Sequence, residues 1–228
     1  MEIIDPIPFE LDVEDLLETL TNRRLREKDI TPLIDECQQL IEPRAVYEFI
    51  RVVNVDNDTI HVEGGYNLKS IILGDLLEDQ QMIVPYVVTI GSKLEQKASE
   101  EAKMSVLKGF IMEQIADYTV SKARLYVSSL TKERLGKTVY NFSPGSGTGK
   151  LFDITQQEIL FKIIDPTDAI GVHLSPSYVM QPRKSISGIL AATPIEYVAC
   201  EYCPQKCENR KKEYRGEYIG HHCEQDVC

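Results

Sequence analysis

The chain has 228 residues, 25 Lys and Arg against 36 Asp and Glu, and 43% hydrophobic residues. That length and apolar content suit one large domain, or one domain plus a small appendage, and exclude disorder over most of the chain. A net charge of −11 excludes broad nucleic-acid binding, which needs a concentrated basic surface. The start, Met1 to Pro6, has neither the basic flank nor the apolar run of a secretory signal. No uncharged apolar stretch reaches the ~18 residues of a membrane span. A cytoplasmic protein without nucleic-acid or membrane partners is expected.

Two short helices open the chain. Val13, Leu16, Leu17 and Leu20 carry the first, and Thr31-Pro32 marks the start of the second, followed by Leu33, Ile34, Cys37, Leu40 and Ile41. Val46, Phe49, Val52, Val53 and Val55 then lead to Asp56-Asn57-Asp58, and Ile60 and Val62 lead to Gly64-Gly65. This pattern predicts a β-hairpin, with a third strand near Ser70 to Leu73. A strand from Ile83 to Ile90 ends at Gly91, and a helical pattern runs from Lys93 to about Arg134, with Gly109 inside it or between two helices. Thr138 to Phe142 reads as extended and Ser143 to Gly149 as a loop. Thr155-Gln156-Gln157-Glu158 reads as a capping box opening a helix through Ile164, and strands fit Ile170 to Leu174 and Ser187 to Ala191. The expected fold is α+β: a single domain over residues 1–199 with a twisted, mainly antiparallel sheet flanked by helices, plus a Cys-rich C-terminal tail over 200–228.

Cysteine is unevenly spread. Cys37 stands alone on the apolar stripe of a helix and reads as a buried thiol, whereas Cys200, Cys203, Cys207, Cys223 and Cys228 crowd into the last 29 residues. In a reducing compartment, Cys-x2-Cys-x3-Cys brings thiolates within reach of one metal, because a two-residue gap lets neighbouring sulfurs converge in a turn. Cys200, Cys203 and Cys207, with Cys223 or Cys228 as the fourth ligand, are candidates to hold zinc or an iron–sulfur cluster. His221-His222 beside them reads as a solvated tail feature, and His61 and His173 as structural. Lys211, Lys212 and Arg215 alternate with Glu208, Glu213 and Glu217 as a solvated mixed face.

The loop Pro144-Gly145-Ser146-Gly147-Thr148-Gly149-Lys150-Leu151 is not a phosphate-cradling P-loop. Such a loop needs glycine where Pro144 stands and a hydroxyl where Leu151 stands. Its three glycines fit a surface turn, or a backbone that lets a ligand approach its amides closely. No spacing singles out a nucleophile with its base, or an acid and base pair of carboxylates.

Three stretches carry a family resemblance: Val87-Val88-Thr89-Ile90-Gly91-Ser92-Lys93-Leu94-Glu95, Phe142-Ser143-Pro144-Gly145, and the run from Ile170 through His173-Leu174-Ser175-Pro176-Ser177-Tyr178-Val179-Met180-Gln181-Pro182-Arg183-Lys184 to Ile189. In this order they resemble the activation domain of cobalamin-dependent methionine synthase, and more closely its short stand-alone relatives. The resemblance covers about Ile83 to Leu190. It implies reductive activation of a corrinoid carried by another protein, a corrinoid-binding protein or a methionine synthase core. S-adenosylmethionine would give the methyl group, and a separate protein the electron. The family's ligand loop (Arg, any residue, Ser or Ala, Pro, Gly, Tyr) falls on Asn141, Phe142, Ser143, Pro144, Gly145 and Ser146. Ser143, Pro144 and Gly145 match it. Asn141 replaces the arginine expected to hold the ligand's carboxylate, and Ser146 replaces an aromatic residue; Lys150 or Arg183 is then a candidate substitute charge. The resemblance also implies cofactor-binding roles for Tyr178, Arg183 and Lys184, in a segment that would face the ligand or the corrin partner.

Two other readings compete. One is a non-catalytic corrinoid-protein binding module that no longer binds S-adenosylmethionine. The other is a redox adaptor built on a metal or iron–sulfur tail. The first reading requires residues 141–189 to frame a hollow open to a ligand.

Overall fold

A computed structural model describes residues 1–19, 25–79, 81–206 and 210–220. Its spine is the strand β6 (Met82–Thr89), buried from Ile83 to Thr89. The expected alternation of polar and apolar residues is absent there because both faces of this strand are covered. On one side β6 pairs with β2 (Arg44–Tyr47) and β3 (Ile50–Asp56). From these the sheet continues to β1 (Glu2–Ile4) and, through the hairpin, to β4 (Thr59–Val62) and β5 (Tyr66–Lys69). On the other side β6 pairs with β10 (Ser185–Ala191), which pairs in turn with β7 (Tyr140–Phe142). All these pairings are antiparallel, as expected for this α+β fold.

Alternation along β6 and β10 divides the interior. Val84, Tyr86, Val88, Ile90 and Leu190 face the helices α2 (Glu27–Leu40), α4 (Lys93–Met104) and α5 (Val106–Leu135), meeting Ile30, Leu94, Ile111, Ile115 and Val127. Ile83, Ile189, Ala191 and Phe142 face the other way, onto Leu160 of α6 (Gln157–Ile164) and onto Tyr197. Val46 and Val87 meet Ile164 of α6 and Ile170 of α7 (Pro166–Ile170). Each fully buried aliphatic side chain contributes about 2 kcal/mol, so the two faces together hold the sheet.

Several elements begin or end elsewhere than the pattern predicts. The first helix, α1, spans Val13–Thr19. The second begins at Glu27, ahead of Thr31-Pro32. An Arg26–Asp29 ion pair closes its first turn, and Pro32 is accommodated inside it on the exposed face. The third strand lies at Tyr66–Lys69; Ser70 is the cap of a short helix, α3 (Ile71–Leu76), its hydroxyl accepting from the Leu73 amide at 3.2 Å. The long helical pattern breaks at Ser105, which caps α5. There a Cβ on Gly109 would come within 2.5 Å of Ala102, so only glycine permits the tight corner between α4 and α5. Thr155 does not cap the helix after the glycine loop: α6 begins at Gln157 behind a 3-10 turn that Asp153 caps. The Asp153 carboxylate accepts from the Thr155 amide and hydroxyl at 2.9 and 2.6 Å, opening a 3-10 turn over Ile154–Gln156. Ile170 ends α7, and the predicted strand shrinks to β8 (His173–Leu174), paired with β9 (Met180–Gln181).

Tail residues 200–206 and 210–220 lie against the domain. Tyr197 stacks between Phe142 and Tyr202, and Tyr202 meets Tyr218 edge-on. Among the described residues, no helix is long and apolar enough to cross a membrane.

Candidate functional site

The match of Gly188 on β10 to Tyr86 on β6, and of Leu190 to Asn141 on β7, puts Tyr86, Gly188 and Asn141 on the sheet face beneath α5. The Tyr86 hydroxyl donates to Asn141 Oδ1 at 2.6 Å, and Asn141 Nδ2 donates to Ser143 Oγ at 3.0 Å. A Cβ at position 188 would lie 2.9 Å from Asn141 Oδ1, the Phe142 carbonyl oxygen and Ser143 Oγ, so glycine there lets the three groups settle onto the strand. Burial pushes the Tyr86 phenol up to about 12, against the opposing influence of the Arg124 guanidinium from α5. It stays a protonated donor across physiological pH.

Beyond Ser143 the chain turns sharply. The Ser146 amide bonds the Ser143 carbonyl, and the Gly145 amide bonds the Phe152 carbonyl at 2.8 Å. Gly145 has φ 79°, and a Cβ there would strike Ile154 at 2.6 Å. The turn thus needs glycine for both its dihedral and its clearance. Gly145, Thr148, Gly149, Lys150, Asp153 and Ile154 line a hollow of about 360 Å³ open to solvent, the opening required of this stretch. Pro144 is buried beneath the turn and Ser146 is partly exposed on it.

The remaining predicted ligand residues lie elsewhere. Arg183 Nε meets Glu95 at 2.8 Å, and its own amide bonds the same carboxylate at 3.0 Å. Lys184 Nζ sits between Glu113 and Asp117 of α5 at 2.6 and 2.7 Å. Both cations are spent in ion pairs at the beginning of β10. Arg183 also borders a second hollow, of about 410 Å³, with Ser92, Glu95, His173, Gln181 and Pro182. Tyr178, at φ 61°, lies on the opposite face: its carbonyl accepts from Gln157 Nε2 at 3.2 Å, and nearby Glu158 raises its phenol pKa.

Cys37 is fully buried, and burial pushes its thiol up to about 12. Cys200 and Cys203 are free thiols on one short turn. Arg210 ties that turn down, donating to the carbonyls of Cys200, Cys203 and Gln205 at 2.6 Å. The turn borders the glycine loop, since a Cβ at Gly147 would approach the Ala199 carbonyl to 3.2 Å. Cys207 and Cys223 lie outside the described residues, as do Cys228, His221, His222 and Glu208. Among the described residues no group of three metal-binding side chains converges.

The family described as "Vitamin B12 dependent methionine synthase, activation domain" matches residues 66–209, more than half of the chain. The chain belongs to this activation-domain family. A solved structure described as "Crystal Structure of the MetH Reactivation Domain bound to AdoHcy" shares the fold at a TM-score of 0.63. It is 14% identical, over 87% of this chain and 81% of that one. No curated protein matches. Within this member of the activation-domain family, the resemblance picked out the Ser143-Pro144-Gly145 turn from sequence. Tyr86, which holds the turn through Asn141, was missed, whereas Gly188 lies in the segment Met180 to Gly188 expected to face the ligand or the corrin partner. Tyr86 reads as an ordinary strand position, and only strand register brings it to Gly188 and Asn141.

Proposed function

We propose that this protein restores the reduced state of a corrinoid carried by a methyl-transfer protein, using S-adenosylmethionine as methyl donor. One electron from a separate low-potential carrier protein and one sulfonium methyl go to the cobalt(II) of the partner's corrinoid, and S-adenosylhomocysteine leaves. The chain's own part is to grip the donor and point its methyl outward, a proximity effect that can be worth several kcal/mol. The observation that carries this reading is the Ser143-Pro144-Gly145 turn, retained in a family member and fixed to the sheet by Tyr86, Asn141 and Gly188. The neighbouring hollow along Gly145 to Ile154 offers room for the nucleoside end. The partner in this reading is a methionine synthase core or a related corrinoid protein.

A second reading, a binding module without the methyl donor, is favoured by Asn141, whose amide oxygen and nitrogen are both committed within the molecule. In a third, Cys200 and Cys203 join Cys207 and Cys223 in a metal site: an iron–sulfur cluster there would make the tail an electron carrier, whereas zinc, which has no redox chemistry, would only clamp it. One experiment separates the first two. Mixed with a cobalt(II) corrinoid protein and a reductant, the chain should change the visible spectrum only when S-adenosylmethionine is present. A change independent of the sulfonium selects the binding module, and no change in either case overturns both.

A further inference from the structure

An S-adenosyl amino acid carries a carboxylate, and burying it against a protein requires a cation or several N–H donors. Asn141 offers neither, because its amide is already bonded to Tyr86 and Ser143. Arg183 and Lys184 are neutralised by Glu95, Glu113 and Asp117. Lys150 lies beyond the turn, on the rim of the hollow.

Arg124 is differently placed. Glu113, Asp117 and Arg124 follow one flank of α5, spaced by four and then seven residues. The Lys184–Asp117 pair fixes where this flank meets β10. Seven residues on along the helix is about 10 Å, and four residues on along the strand, from Lys184 to Gly188, is about 13 Å. Arg124 therefore stands level with Gly188 and its partner Tyr86, and its charge acts on the Tyr86 phenol. Val120 and Val127, one turn either side, are buried, and Arg124 between them is partly buried, so its stem is packed while its charged head keeps access to solvent. Among the described residues Arg124 forms no ion pair with an acid.

We propose that Arg124 is the carboxylate anchor of the site: its guanidinium, delivered from α5 rather than from the ligand loop, binds the carboxylate of an S-adenosyl amino acid lying over Asn141, Ser143 and Gly188. This rests on the reading that the chain binds S-adenosylmethionine. The charge that the loop lacks at position 141 is supplied from the facing helix, and Tyr86 and Asn141 become the scaffold beneath it.

Calorimetry on the full chain with S-adenosylmethionine and its decarboxylated analogue tests the assignment. The native protein should prefer the carboxylated ligand at least tenfold. Arg124→Gln should erase that preference with its thermal unfolding unchanged, and Arg124→Lys should restore part of it. A native protein that binds both ligands equally, or an Arg124→Gln variant that keeps the preference, overturns the anchor and leaves the proposed function standing. Failure of the native protein to bind either ligand at millimolar concentration overturns both.

Discussion

At the start of β10, Arg183 and Lys184 meet Glu95, Glu113 and Asp117 from two helices. Further along the same strand, Gly188 lies under a phenol, an amide and a hydroxyl, with Arg124 arriving from the same long helix. Both places bring basic residues near one strand and one helix, yet their chemistry diverges. At the first, opposite charges cancel within the molecule, and the result is a clasp between β10 and the α4–α5 pair. At the second, neutral hydrogen-bonding groups lie within the electrostatic reach of Arg124, an arrangement that suits an anionic visitor. The basic pair in the sequence is thus the structural one, and the solitary arginine on the helix is the one left for binding.

The sharpest break in this comparison comes from Gly188→Ala. Its new methyl would lie 2.9 Å from Asn141, Phe142 and Ser143 atoms, two of them in the network and one in backbone. Overpacking of this kind costs about 1–3 kcal/mol, and the turn should lift from the strand. Urea unfolding should report the lost stability, and S-adenosylmethionine affinity should fall with it. Native stability and affinity in this variant would show that the network does not rest on the strand.

Tyr86→Phe should do less. It removes the donor to Asn141 Oδ1 and leaves that oxygen to find another partner, at about 1–2 kcal/mol. Combined with Asn141→Ala the loss should be smaller than the sum of the two single losses, because they share one hydrogen bond. A double-mutant cycle by urea unfolding measures that coupling. Strict additivity would mean that the phenol and the amide act independently.

What the sequence disclosed follows the range of each interaction. Local patterns sufficed for the hairpin at Asp56-Asn57-Asp58, for β6 just ahead of Gly91, and for the buried Cys37. They misplaced the third strand, because Ser70 caps a helix through the Leu73 amide rather than extending a strand. They also misplaced the capped helix, where the Asp153 carboxylate accepts from the amide and hydroxyl of Thr155 and so draws Thr155 into a preceding 3-10 turn. In the site, the glycine turn was visible because its residue types are demanded locally by positive φ and close packing. The ion pairs of Arg183 and Lys184 were not, since Glu95 stands 88 residues and Asp117 67 residues away in the chain. Arg124 was hidden for the same reason: its helix faces Tyr86 only after the sheet has formed.

The mildest probe is the clasp itself. Burial alone pulls the Lys184 pKa down, but hydrogen bonds and charge from Asp117 and Glu113 together outweigh it, and the net shift is upward. A folded pKa above the unfolded one means that the contribution is complete below the ordinary lysine value near ~10.4 and is lost as pH rises through the elevated value. Because Asp117 is largely exposed, Lys184→Met should cost only about 1 kcal/mol at neutral pH. The gap in urea midpoint between native protein and variant should therefore hold from pH 7 to 9 and narrow toward pH 11 and above. Tyrosine ionisation at high pH weakens both proteins alike and drops out of the difference. A gap that stays constant across this range would mean that Lys184 acts by packing its stem rather than by its charge, and the contrast between the two ends of β10 would then lose its electrostatic basis.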